Sequence, residues 1–378
     1  MRPVLCLFVA LACLVGSAAA DPITDYALFG NTSLNVGAGA NVNGQIGSNG
    51  SVTTGSNVDS EDFGGGGNSS SGAGSMITGN VIVNGTYTTG SNVDVTGSID
   101  ASGFIFLNSG SSVGGIIHGG NGLSTGTNVD LLSNVFVTGN FFLGAGGLAS
   151  GNVTATGTIG GTGTIAGIAT AGAGSVPAPT PFMTVSLPAM SVFTAGGAAV
   201  TAGTNVNFGS LAPGSYGAMS LSSGASITLS AGNYFFSSIT TGSNVTITLD
   251  LTGGPVNIYV TGNAGIGAGT DLVLVGGGAA NVYTEVKGQF TTGSNVTWYG
   301  TVFTPMGLIS VGAGLQLFGS LYAGTTLATG SNLNLRFVVS NTFENFANPP
   351  PLQVPEPGLA LLCAGAAVLV WRLRRRAA

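Results

Sequence analysis

The sequence predicts an all-β fold, a β-solenoid (β-helix) of short stacked strands. Three observations predict it. Charged residues make up only 5% of the chain while hydrophobic residues make up 44%, so the body is neither a solvated polyelectrolyte nor a flexible linker. Glycine is abundant, at 67 residues, without a strict Gly-X-Y period, which excludes a collagen helix. Turn-like segments recur at short, regular intervals, the mark of stacked repeats.

Residues 1–20 read as a secretory leader. Arg2 supplies a positive start, Val4–Val15 an apolar stretch, and Ala18 and Ala20 the small residues at −3 and −1 before Asp21. The alternative is an uncleaved anchor helix, although the apolar run is shorter than the ~20 residues a span requires.

The body follows. Two marker types alternate, one of the form Thr-Gly-Ser/Thr-Asn-Val and one of the form Gly-Ala-Gly or Ser-Gly. Their reference glycines in the first half are Gly39, Gly55, Gly74, Gly90, Gly110, Gly126 and Gly146, at steps of 16, 19, 16, 20, 16 and 20. A looser series, Gly242, Gly269, Gly293, Gly314 and Gly330, continues in the second half. After the markers come alternating runs such as Val245-Thr246-Ile247-Thr248-Leu249, with Val, Ile and Leu on one side of a strand. Glycine and asparagine tolerate left-handed backbone and so suit the corners. Two coil lengths fit. In a coil of about 18 residues Asn57, Asn92 and Asn128 sit on alternate rungs; in one of about 36 they stack into an amide ladder. The shorter coil is preferred, because long strands are uncommon.

A composition shift at 171–192, with Pro177, Pro179, Pro181 and Pro188, marks a loop or linker. It separates an N-terminal array (21–170) from a C-terminal array (193–345), and a proline-rich spacer covers 346–353. In the second array Leu211–Gly217, Leu229–Phe236 and Gly254–Val260 resemble a β-solenoid module common in bacterial surface and pilus-associated proteins.

Residues 354–378 have three ordered parts: Val354-Pro355-Glu356-Pro357, the apolar run Gly358–Trp371, and a basic end of Arg372, Arg374, Arg375 and Arg376. The proline pair sets a sharp junction. An expected single transmembrane helix follows, with Trp371 at the interface and the arginines on the cytoplasmic side. This arrangement resembles the PEP-CTERM protein-sorting signal. The resemblance implies handling by an exosortase, a membrane protease, after signal peptidase has removed the leader. It further implies an exported protein, held in the inner membrane by its tail and then passed to the cell surface in association with exopolysaccharide.

The chemistry-bearing residues are few. Between residues 21 and 357 thirteen acids face only Lys287 and Arg336, a net charge of about −11, which argues against nucleic acid. Cys6, Cys13 and Cys363 all lie in the terminal apolar segments, so the body has no disulfide and no thiolate. The single histidine, His118, has no acid beside it in sequence and reads as a turn residue; a His/Cys metal site cannot be assembled. Asp59, Glu61 and Asp62 read as a solvated loop, with a weak calcium site as the alternative. Glu285 and Lys287, two apart on a strand, read as a surface ion pair. No catalytic, metal or cofactor residue is assigned, and no cofactor is expected.

The expected role is therefore a structural protein of the cell surface or extracellular matrix. Two alternatives stand beside it. One is a binding module for polysaccharide or ice, using threonines such as those of Thr154–Thr158 and Thr162–Thr164 as one flat face. The other is a polysaccharide-active enzyme, disfavoured by the missing cationic and histidine residues.

Overall fold

The computed structural model describes residues 22–347; the proposed leader, the spacer beyond Ala347 and the sorting tail lie outside them. Apart from two 3-10 turns and one short helix, Asn341–Ala347 (α1), the described regular structure is strand, and every strand pairing is parallel. Each coil has three short strands at three faces of a rod. The first coil is Tyr26–Gly30, Ser33–Val36 and Asn41–Asn43.

Counted on the residues that turn the corner, the irregular spacing of the markers becomes uniform. Gly39, Asn57, Gly74, Asn92, Gly110, Asn128 and Gly146 all have positive φ, between 55° and 74°, and follow one another at steps of 17 or 18. The coil is thus the shorter of the two expected, and the asparagines occupy alternate rungs. Each corner residue donates its N–H to the carbonyl preceding the next corner, as in Asn92 to Ser109 and Gly110 to Thr127, both 2.9 Å. The corner demands left-handed backbone, which glycine adopts freely and asparagine better than other L-residues. Sterics then dictate the alternation. A Cβ at Gly110 would sit 2.1 Å from Asn92 Oδ1, and one at Gly146 would sit 2.2 Å from Asn128 Oδ1. The asparagine side chain fills the space above its neighbour, so the neighbour is glycine.

The chain does not run from one end of the rod to the other. It starts mid-rod, winds outward to Ala169–Thr170, returns along the side, restarts at Val200–Ala202 at the far end, and winds back to the middle. There the last coil stacks on the first. Leu321 pairs with Leu28, Leu327 with Leu34 and Leu335 with Val42, although the partners in each pair are 293 positions apart in sequence. Even the corner alternation crosses this joint, with Asn332 set against Gly39. One continuous apolar core runs through both arrays, from Ala27 to Leu335, so they stack as a single solenoid. Coils in the second array are longer in places, its corners Asn244, Gly269 and Asn295 being spaced more widely than any in the first.

Residues 171–199 do not link two separate bodies. They form a strap lying along one face of the rod. Thr180 N–H donates to Asp100 Oδ1 at 2.8 Å and Ser191 N–H to Glu285 Oε1 at 2.9 Å. Those two acceptors are seven rungs apart through the joint, about 34 Å at ~4.8 Å per rung. Eleven residues cover it at about 3.1 Å each, the rise of a polyproline II strand. The prolines therefore belong to the strap's geometry: they fix φ for an extended chain and have no N–H to leave unpaired.

The alternation at the corners is directly testable. Gly110→Asn keeps a residue that tolerates positive φ but puts three asparagines in succession. It should destabilise the rod by at least about 1 kcal/mol in chemical denaturation. Asn92→Gly, which keeps the left-handed backbone and only removes a side chain, should change stability by less than about 1 kcal/mol.

Candidate functional site

The three faces differ in chemistry. The strapped face, beginning at Tyr26–Gly30, carries large outward side chains that the strap and α1 cover. Phe29, Tyr283, Phe303, Tyr322 and Phe343 are fully or almost fully buried in a second apolar cluster, joined by Phe182 and Val185 of the strap. Gly64 has no Cβ because the Phe182 ring lies 2.5 Å from where one would be. Two asparagines grip the strap's backbone from both sides. Asn84 Oδ1 accepts from Phe182 N–H and its Nδ2 donates to Phe182 O, both at 2.7 Å; Asn49 does the same for Val185 at 2.8 Å.

The residues singled out in the sequence lie mostly under or beside this strap. Glu285 and Lys287 are not a surface ion pair. Glu285 is 0% exposed; one oxygen accepts from Ser191 N–H and the other from the Tyr283 hydroxyl at 2.9 Å. Burial, reinforced by the Glu285 carboxylate, holds the Tyr283 phenol well above its ordinary pKa, so it remains a donor. Lys287 instead donates to Phe193 O at 2.9 Å and lies over the Phe193 ring, 4.1 Å from its centroid.

His118 is on a strand, Ile117–Gly119, not in a turn. Stacking brings it the acid that the linear sequence withholds: Asp100, one coil earlier, lies 2.9 Å from His118 Nδ1. The ring also stacks on Phe136 at 5.5 Å. Asp100 already accepts from the strap at Thr180, so the pair is an anchoring point of the strap.

Asp59 is on a strand of the third face, and Asp62 at its corner accepts from Gln45 Nε2 and Asn80 N–H. Among the described residues no group of three or more His, Cys, Asp and Glu side chains is placed to hold a metal ion. The third face is acidic. Asp59, Asp94 and Asp130 alternate along it with Met76 and Ser112, and Asp271 lies further along the same column.

The remaining face, beginning at Ser33–Val36, is a fifteen-stranded parallel sheet without one charged residue in its strands. One residue per rung points outward from the centre of each strand. From the far end to the joint these are Thr201, Ser220, Thr240, Gly265, Thr291, Ser310 and Ala328. Beyond the joint they continue as Asn35, Thr53, Ser70, Thr88, Phe106, Ser124, Phe142 and Gly160. A second polar row flanks it at the joint, where the Ser33 and Thr326 hydroxyls are 3.0 Å apart. The column repeats at the strand spacing, ~4.8 Å, over about 67 Å. Phe106 and Phe142 interrupt it, 44% and 49% exposed, and Phe104 lies beside Phe106 with ring centroids 4.3 Å apart.

The threonine runs expected to form a flat face do not. Thr154 is on the strapped face, Thr158 pairs toward Asn140 at the edge of the neutral face, and Thr164 is on the acidic face. The hydroxyl array is real but runs across strands, one residue from each coil.

The family model described as Domain of unknown function (DUF7305) matches residues 198–298, within the second array. No curated protein matches the chain. Among solved structures, an ice binding protein from an Antarctic bacterium, Flavobacteriaceae, aligns at 14% identity. The alignment covers 82% of this chain and 96% of that one, with a TM-score of 0.27. No helix among the described residues is long and apolar enough to cross a membrane.

The strap's attachment gives an expected outcome. Asn84→Ala deletes two hydrogen bonds to it, worth about 1 kcal/mol each. Limited proteolysis should then cut within 171–199 several-fold faster than in the unmodified protein, with the coils on either side left intact.

Proposed function

We propose that this chain is an exported surface protein whose neutral face binds an extended, uncharged, repeating ligand, a neutral polysaccharide of the extracellular matrix. The observation that carries the reading is the segregation of charge. The described acids lie on the other two faces, at corners, in the first 3-10 turn (Asp25) or on α1 (Glu344), while fifteen successive rungs of this face present only hydroxyl, amide, small or aromatic groups. A flat surface of that kind has no pocket for a small substrate and no charge to attract an ionic one. It offers hydrogen-bond partners at a fixed repeat. The exposed Phe106 and Phe142 favour a sugar chain over ice, since a pyranose ring lays its apolar C–H face on an aromatic ring.

The tail supports the setting. The pattern at Val354–Pro357 and the basic end from Arg372 fit export, sorting by an exosortase and transient membrane anchoring. Because α1 packs against Tyr283, Phe303 and Tyr322 near mid-rod, a tail continuing from it would hold the rod by its middle. The strapped face would then lie toward the membrane and the neutral face outward. In this role the protein is both matrix component and binding module.

Retention of the protein on insoluble neutral and anionic polysaccharides tests the binding. Retention on a neutral glucan is expected, and the Thr53→Glu/Thr88→Glu double variant should lose it at least tenfold. Asp94→Asn on the acidic face should leave it unchanged. Inhibition of ice recrystallisation without polysaccharide retention would reassign the face to ice. Mass spectrometry of the protein recovered from culture medium tests the sorting: a product starting at Asp21 and lacking residues after about Pro357 is expected, and an intact tail would refute processing.

A further inference from the structure

We infer that the rod joins end to end with further copies of itself, the finishing coil of one copy stacking on the starting coil of the next. This association involves only the two ends of the rod and does not depend on what the neutral face binds. Alternate residues of a parallel strand turn their N–H and C=O toward opposite neighbours. In this rod the buried phase points forward, as where Val153 N–H donates to Ile168 O and Ile239 N–H to Asn263 O. At the finishing end, Ala169 is in register with Val153, so its N–H and C=O point forward with no rung to receive them. At the starting end, Thr201 is in the opposite phase to Ile239 and points backward into the same situation. All strands of the two terminal coils pair on one side only among the described residues.

Proteins ordinarily block such edges with charge, proline in the strand, or a covering element. These ends carry none of the first. Residues 157–173 and 196–215 contain no charged side chain, and they expose Ile168 at 70% and Val206 at 47%. Pro213 lies in a corner, beside Gly232, and leaves the terminal strands unblocked.

The occupant is specified by the molecule itself. Its mid-rod joint is a finishing coil stacked on a starting coil with no chain continuity between them, held by three parallel strand pairings and the Asn332–Gly39 corner. Both arrays wind in the same direction along the rod, so a joint between copies repeats this interface with the same strand polarity. The contact is heterologous and does not close on itself, which yields an open filament one rod wide.

Sedimentation velocity and negative-stain imaging of the full chain in a mild detergent test this. Rods of constant width in multiples of about 70 Å, growing with concentration, are expected. Ala169→Pro and Thr201→Pro each delete a free N–H at one end and no internal bond. Each variant alone should stay a single rod. Mixed together they should form dimers, because each keeps the end that the other lacks. Dimer formation on mixing also shows that both variants fold. Single rods of the unmodified chain at all concentrations would overturn the inference, as would growth in width or assembly that both substitutions leave unchanged.

Discussion

Each coil of this protein must return the chain to its starting point displaced by one strand spacing, and the left-handed corner is where that closure is made. From Asn205 through the joint to Gly146, one residue at this corner of each coil turns with positive φ. Only glycine and, less readily, asparagine accept that backbone. The corner therefore restricts composition before the core does. Asparagine then blocks its neighbour: its side-chain oxygen lies where the Cβ of the next corner would be. A local backbone requirement thus becomes a two-rung periodicity along the whole rod. The inward valines, isoleucines and leucines supply the burial that stabilises the stack, on the order of 1.5–3 kcal/mol each, but they do so only because the corners hold the rungs in register.

The same constraint explains how a chain interrupted in its middle still makes one rod. Stacking in a parallel solenoid uses hydrogen bonds between rungs and a shared core, neither of which needs covalent continuity between them. The joint therefore resembles any other pair of rungs, including its Asn–Gly corner. What the interruption does require is a return path, the stretch 171–199. Laying that path as an extended strap, bonded to Asn49, Asn84, Asp100 and Glu285, converts a long loop into a cover for one face. The bulky aromatic side chains of that face are then buried instead of solvated.

Much of this is legible in the sequence. The all-β solenoid follows from composition and the markers. Two coil lengths fit the markers because the reference glycines are not always the residues at the corner. Gly55 and Gly90 precede the positive-φ residues Asn57 and Asn92 by two positions, whereas Gly39 and Gly74 are themselves the corners, so true steps near 18 read as 16, 19 and 20. The strap is visible only as prolines, since nothing in residues 171–192 indicates which distant side chains receive it. Glu285 reads as a surface charge because its neighbour two positions on is a lysine, and its burial depends on Ser191, 94 positions away. His118 and Asp100 are separated by 18 residues, one coil, and that separation becomes a contact only once the coil length is known.

The neutral face illustrates the same limit and bears most directly on function. Along the chain its outward residues are scattered, one every coil, among corners and core positions that dominate any local pattern. Searching for threonines at alternate positions along a strand looks in the wrong direction, because a solenoid writes its surface across strands. Read in that direction, the three faces separate by the water each must meet: one covered by its own chain, one acidic and solvated, one uncharged and open. A protein selecting only for solubility has no need to exclude charge from fifteen consecutive rungs, and in doing so it leaves an uncharged plane of hydroxyl, amide and aromatic groups open to solvent. That arrangement suits the ligand proposed for it, which is itself long and repetitive.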